Sequence, residues 1–318
     1  MREILTAGRY FRKKYGVNVY KTPISLVGFT CPNIDGRVAK GGCTFCENES
    51  FSPNLKEKTK RKFYLNPDSQ TNPLLEQQLL QLKSQYNSTK IKLEKKFNAK
   101  KFLVYFQSFT NTYAPLPTLK TLYSNALKLD GAIGLSIGTR TDSINEEVLE
   151  YLAKLSQDHE IWVEYGIQTI YDETLKKINR GHDVENMRYW IKKTKEYGLK
   201  VCGHLIFGLP NETQEMMLDS VRFINEQKID SIKIHPMYVT KNTALAQEYK
   251  NSKFTPITEK LYGETVVQAL KILDENIIVQ RITAGINDNS LLAPSWCRCK
   301  HNQINYIKRE LLKEGLIY

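Results

Sequence analysis

Ile24-Ser-Leu-Val-Gly-Phe-Thr-Cys31-Pro-Asn-Ile-Asp-Gly-Arg-Val-Ala-Lys-Gly-Gly-Cys43-Thr-Phe-Cys46 joins an apolar, strand-like run to three cysteines spaced C-x11-C-x2-C. Three thiolates can hold three corners of a cubic iron–sulfur cluster and leave the fourth iron open to a small molecule. Two other readings stay open on these residues. A structural zinc site closes its tetrahedron with four Cys or His ligands, yet the next His is His159 and the next Cys is Cys202. Unligated thiols are the third reading. A disulfide framework belongs to small secreted domains, a poor match to a chain of 318 residues.

Around this stretch the composition is that of an ordinary globular protein, 41% hydrophobic and 25% charged. The longest apolar runs, such as Val201 to Leu209, fall far short of a membrane span. The first ten residues lack the apolar stretch of a secretory signal, so a cytoplasmic location is expected. Net charge is +12, from 46 basic and 34 acidic residues. The excess clusters at Lys56–Lys62, at Lys90–Lys101 and around Arg298, Lys300, Lys308 and Arg309. Such a surface favours polyanions through counterion release; a solvated lysine-rich exterior is the plainer alternative.

Short apolar runs alternate with amphipathic ones, the pattern of an α/β protein with a parallel sheet. Strands are expected at Ile24–Thr30, Lys101–Gln107, Ala132–Thr139, Ile161–Gln168, Leu199–Gly208 and Ser231–Pro236. Helices are expected at Pro73–Phe97, Leu116–Leu129, Asn145–Ser156, Val184–Tyr197, Glu212–Gln227 and Thr258–Glu275, with Asn145 and Asn211 read as caps. Six strand–helix units predict a partial (β/α)6 TIM-like barrel whose gap admits a large substrate. Residues 1–20 then form a lead-in and 21–255 the barrel. Residues 256–318 form an extension with a strand-like Ile277–Thr283 and a basic helix near Asn302–Gly315. Asn48–Ser69 reads as a polar loop.

In parallel α/β folds functional groups gather at the carboxyl ends of strands. Those ends are polar here: Gln107-Ser108, Ser136 to Asp142, Glu164 to Gln168, His204 to Glu212, and Lys233 to Tyr238. With the cysteine loop that follows the first strand, these make six polar ends at one mouth, which are hard to explain as packing.

With these motifs the chain resembles the radical S-adenosylmethionine (SAM) superfamily, and within it the YtqA/YhcC-type branch related to the catalytic subunit of Elongator. The resemblance rests on Cys31-Pro-Asn-Ile-Asp-Gly, Gly41-Gly-Cys-Thr-Phe-Cys46, Phe106-Gln-Ser-Phe-Thr-Asn-Thr-Tyr-Ala-Pro115, Ser136-Ile-Gly-Thr-Arg140, Glu164-Tyr-Gly-Ile-Gln168, Gly203-His-Leu-Ile-Phe-Gly-Leu-Pro210 and Leu292-Ala-Pro-Ser-Trp296. It implies a 4Fe–4S cluster on Cys31, Cys43 and Cys46, with SAM on the open iron. It implies Phe45 against adenine, with loop packing as the alternative, and Gln107 and Ser108 near the SAM amine, where many members carry Gly-Gly-Glu instead. Glu164 would accept from the ribose, assisted by Gln168 and Ser136, and Arg140 would take the SAM carboxylate. A salt bridge between Glu164 and Arg140 is the alternative for both. His204, His235, Tyr238 and Arg281 are candidates for direct contact or catalysis, and Tyr113 for the substrate side. A buried, hydrogen-bonded core role is the alternative for the two histidines. Cys202 reads as a small core residue. Cys297-Arg-Cys299 with His301 has too few ligands for a second cluster and reads as surface or lid.

The branch further implies modification of wobble uridine 34 in tRNA, taking 5-carboxymethylaminomethyluridine to 5-aminomethyluridine, with a low-potential electron donor such as flavodoxin or ferredoxin and no membrane partner. Elongator's own acetyl chemistry is not expected, since only roughly 80 residues follow the last expected barrel strand, less than a typical domain. Two alternatives stand beside this: a radical SAM enzyme acting on a small metabolite, and a non-catalytic iron–sulfur RNA-binding protein. Oligomeric state is not legible.

Overall fold

The apolar runs become strands of one parallel sheet in the computed structural model, which describes residues 1–47 and 63–318. The basic run Lys56–Lys62 and residues 48–62 of the expected polar loop lie outside the described residues. In chain order the elements are β1 (Arg2–Glu3), α1 (Ala7–Tyr15), β2 (Val19–Ile24), α2 (Pro32–Asp35), α3 (Leu75–Phe97), β3 (Lys101–Phe106), α4 (Leu116–Leu127), β4 (Ala132–Thr139), α5 (Glu146–Ser156) and β5 (Glu160–Gln168). They continue with α6 (Asp172–Lys177), α7 (Val184–Glu196), β6 (Lys200–Phe207), α8 (Gln214–Glu226), β7 (Ser231–Pro236), β8 (Val239–Thr240), α9 (Ala244–Lys250), α10 (Glu259–Ile272), β9 (Ile278–Arg281), β10 (Leu291–Ala293), α11 (Lys300–Lys313) and β11 (Leu316–Ile317).

The main sheet runs β2-β3-β4-β5-β6-β7-β9, parallel throughout. It is the expected partial barrel, with a seventh strand, β9, added beyond β7 by the segment after residue 256. The sheet curls far enough for its two edges to meet through side chains: Lys21 Nζ on β2 donates to Gln280 Oε1 on β9 at 2.6 Å. The N-terminal residues occupy the remaining gap, where Val279 N–H donates to the Leu5 carbonyl at 2.8 Å. Phe11 of α1 packs with Leu103, Trp162, Cys202 and Ile278 and plugs the bottom of the barrel. Two residues further along these strands stand Tyr105, Glu164, His204 and Gln280, so alternation lifts the interior from an apolar layer to a polar one.

Two sequence expectations are corrected. The first strand is Val19–Ile24, not Ile24–Thr30. Pro23 is tolerated there because β2 is an edge strand, and Gly28, at φ +84°, breaks the apolar run that follows. The resulting buried loop has its backbone satisfied by one face of α3. Gln85 accepts from Ser25 N–H and donates to the Ser25 carbonyl, both at 2.8 Å. Gln81 accepts from Val27 N–H at 3.0 Å, and Gln78 donates to the Val27 carbonyl at 2.7 Å. The second correction is a cap: α8 starts at Gln214 behind Thr213, while Asn211 sits in a left-handed turn before it. Asn145 caps α5 as expected.

Candidate active site

The buried loop delivers Cys31 to the start of α2, and the two glycines Gly41 and Gly42 then turn the chain back to Cys43 and Cys46. All three cysteines are free thiols and open on one cavity of about 530 Å3. The loop is clamped from across the barrel. Asn33, fully buried, donates to the Arg180 carbonyl at 2.9 Å, and Asn179 donates to the Gly42 carbonyl at 2.7 Å. Thr44 N–H reaches the Ile178 carbonyl at 3.0 Å.

Cations face the sulfurs. Arg140 Nη1 lies 3.5 Å from Cys31 Sγ, and Arg180 Nη1 lies 3.7 Å from Cys43 Sγ. Arg180 Nη2 is tied to the Gly166 carbonyl at 2.6 Å. A Cβ on Gly166 would stand 2.6 Å from that same nitrogen, so only glycine leaves the arginine its place. The buried Arg180 Nε has no partner among the described residues. Burial first, then the neighbouring Cys43 and Cys31 sulfurs, push the Cys46 thiol up; a bound cation reverses that balance. Three convergent soft donors, flanked by guanidinium groups with N–H to spare, fit a thiolate-bound iron–sulfur cluster of net negative charge.

Phe45, Gln107, Arg140, Glu164, Gln168, His204, His235, Tyr238 and Arg281 all line this cavity. Gln168 gets there through a register shift between Gly166 and Gln168, which turns the end of β5. Ser108 and Ser136 are buried outside the lining: Ser108 shares a 2.6 Å hydrogen bond with Ser25, and Ser136 donates to Glu164. Tyr113 is outside it too, its ring facing Arg37. Cys202 is core, as expected. Cys297 is not a surface residue; it is buried against Ile286 and Leu291, while Cys299 and His301 are exposed.

Glu164 is where the structure departs furthest from the expectation. Its Oε1 accepts from Lys21 and Ser136, and its Oε2 accepts from Lys233 and from His204 Nε2 at 2.8 Å. A carboxylate offers about four lone-pair positions, so none is left for a ribose. Nor does it pair with Arg140, whose guanidinium makes a bidentate pair with Asp142 at 2.5 and 2.7 Å. Burial alone would raise the Glu164 pKa, but Lys21, Lys233 and then His204 outweigh it and hold it well below the carboxylate range. Glu164, Cys202 and His204 could otherwise form a metal site, yet two ammonium groups on the same carboxylate oppose a cation. Burial, then Lys233, bring His204 to about 4, and burial, then Arg281, hold His235 well below its ordinary value. Both imidazoles are therefore neutral near neutral pH.

Sequence reasoning missed Lys21, Lys233, Arg180 and Lys300. A lysine inside Ser231-Ile-Lys-Ile-His-Pro236 was a signal, since a buried parallel strand rarely admits an unpaired charge. Arg180 and Lys300 carry no such mark.

The Radical SAM superfamily matches residues 34–224, and the Radical_SAM C-terminal domain matches residues 229–313. YtqA of Bacillus subtilis (strain 168) is 32% identical over 313 residues, 98% of this chain and 90% of YtqA. The tRNA uridine(34) acetyltransferase of Methanocaldococcus jannaschii is 33% identical over 157 residues, 48% of this chain and 28% of that protein. The solved structure of the archaeal Methanocaldococcus infernus Elp3 with an N-terminal deletion is similar in fold, with TM-score 0.60 at 21% identity over 93% of this chain and 63% of that one. Three clustered cysteines at the mouth of a parallel half-barrel, matched along the whole chain, lead to one conclusion: the chain belongs to the radical SAM superfamily, an enzyme family whose cofactors are SAM and a 4Fe–4S cluster.

Proposed function

We propose that this enzyme modifies the wobble uridine 34 side chain of tRNA, converting 5-carboxymethylaminomethyluridine to 5-aminomethyluridine. The observation that carries the reading is one cavity lined both by the three thiols and by Arg281, Lys300, His204 and His235. The partial likeness to a tRNA uridine(34) acetyltransferase supports a uridine 34 substrate, and the net charge of +12 supports a polyanionic partner.

In this reading Cys31, Cys43 and Cys46 hold three irons, and Arg140 and Arg180 offset the negative charge on their sulfurs. Phe45 supplies a face for adenine, and Gln107 and Gln168 supply polar contacts to SAM. Glu164, with Ser136, Lys21 and Lys233, orients His204 instead of touching SAM. When bound, the cluster and SAM supply a radical able to take hydrogen from carbon. The substrate methylene is the favoured position, because its nitrogen and carboxylate neighbours both stabilise a carbon radical. Loss of that hydrogen and one further electron, with SAM cleavage as the oxidant, would leave an imine that water hydrolyses to the free aminomethyl group and glyoxylate. A low-potential donor such as flavodoxin or ferredoxin, and a cytoplasmic setting, go with this chemistry.

The test is anaerobic reconstitution, followed by measurement of 5′-deoxyadenosine with and without tRNA and by nucleoside mass spectrometry. Release of 5′-deoxyadenosine coupled to appearance of 5-aminomethyluridine is the expected result. Turnover of a metabolite without tRNA, or tRNA binding with no SAM cleavage under strong reductant, overturns it.

A further inference from the structure

Among the described residues, every cation around the cavity has a partner except two. Lys21 and Lys233 share Glu164, Arg140 holds Asp142, and Arg180 is tied to the Gly166 carbonyl. Arg281 ends β9 and Lys300 opens α11; both line the cavity. Among the described residues neither has an ion pair or a side-chain hydrogen-bond partner. They stand close enough that Arg281 lowers the Lys300 pKa, after burial. Beside them are two neutral polar side chains. His235 is held uncharged by burial and by Arg281, and burial pushes the Tyr238 phenol up to about 12. The first turn of α11 carries no acidic residue. Two mutually repelling cations face the cavity, Arg281 from its wall and the exposed Lys300 from its rim, and no carboxylate among the described residues forms an ion pair with either, which makes a surface prepared for an anion.

We propose that Arg281 and Lys300, flanked by His235 and Tyr238, form a subsite that binds a carboxylate on the substrate's reacting side chain. This rests on the uridine 34 reading and adds the residues that would distinguish the acidic side chain from its product. A planar guanidinium fork matches a planar carboxylate in two parallel hydrogen bonds, and Lys300 at the rim adds a point charge. A backbone phosphate is the weaker match, because the fork lies in the cavity wall and not on the outer surface. SAM also carries a carboxylate, but the cations turned toward the cysteines are Arg140 and Arg180. The subsite is nonetheless near the cysteine loop, since Tyr238 feels the charges of both Arg281 and Cys46.

The test uses reconstituted full-length protein, Arg281→Gln, Arg281→Lys and Lys300→Gln. Binding is measured to anticodon stem-loops carrying either the carboxymethylaminomethyl or the aminomethyl uridine, and SAM affinity is measured by calorimetry. The wild type is expected to prefer the acidic oligonucleotide by about 10- to 100-fold. Arg281→Gln removes that preference, Lys300→Gln and Arg281→Lys reduce it, and SAM affinity stays unchanged. If the variants weaken SAM and spare the preference, the carboxylate is SAM's and the proposal is overturned. Equal weakening of both oligonucleotides marks a phosphate contact and overturns it too. A wild type that binds neither oligonucleotide overturns the uridine 34 reading, and the subsite is then judged on its own with N-methylglycine against N-methylglycinamide. A wild-type-only shift of the His235 ring signals by the acid supports the subsite; no such shift overturns it.

Discussion

Glu164 was legible as a buried acid at a strand end, but its partners were not. Lys21 lies 143 positions away in sequence and Lys233 lies 69 away, and only the register of the curled sheet brings both to one carboxylate. Replacing Glu164 with Gln leaves two inward-pointing ammonium groups without their counter-ion. Breaking a buried pair in this way costs about 3–5 kcal/mol, to be read from urea unfolding; a loss below about 1 kcal/mol would mean the lysines find water instead. At the cysteines, Arg180→Gln removes an N–H aimed at Cys43 Sγ. Hydrogen bonds to cluster sulfurs favour the reduced, more electron-rich state. The variant is therefore expected to keep its iron and show a lower midpoint potential in an EPR-monitored redox titration, and an unchanged potential would assign Arg180 to packing alone.

At the level of elements, five of the six expected strands fall within a residue or two of their observed ends, because fully buried parallel strands read as continuous apolar runs. The same property hides which way each side chain points. With both faces apolar there is no alternation to read, and so Ser108 and Ser136 were assigned to a cavity that they only support. The misplaced first strand has a similar cause, since Ile24–Thr30 is as apolar as a strand, but Ser25 and Val27 within it take their backbone hydrogen bonds from α3. Gln78 makes the point testable. It is fully buried and donates to the Val27 carbonyl. Gln78→Leu orphans that carbonyl at a cost of about 1–3 kcal/mol, and it loosens the segment leading to Cys31. Reduced iron incorporation in Gln78→Leu relative to an exposed control such as Leu80→Gln, measured by iron analysis after reconstitution, is the expected outcome.

For the whole molecule, the buried histidines set the acid limit of stability. His204 and His182 are each lowered from 6.5 to about 4, in both cases by burial first. The unfolded chain takes up these protons as pH falls through 6.5, while the folded chain refuses them until about 4. Their contribution is thus complete above 6.5 and is lost progressively below it. Further down, Glu160, held at about 2 by Lys14, Lys200 and Tyr15 against the cost of burial, loses its share as pH falls from 4.5 through that value. Urea midpoints measured from pH 8 to 4 should fall monotonically below about 6.5, and His204→Asn should flatten the curve; a midpoint flat to pH 5 would count against buried neutral histidines. The sequence by itself determined the parallel α/β half-barrel and the cysteine triplet, because periodicity, capping and ligand spacing are local properties of the chain, and the cofactor class followed from the family resemblance its motifs carry. Only the tertiary structure decided what Glu164 binds, which cations are spoken for and which two are left facing the cavity. Those answers depend on charges from β2, β5, β7, β9 and α11 meeting in a low-dielectric interior, and no spacing along the chain encodes that meeting.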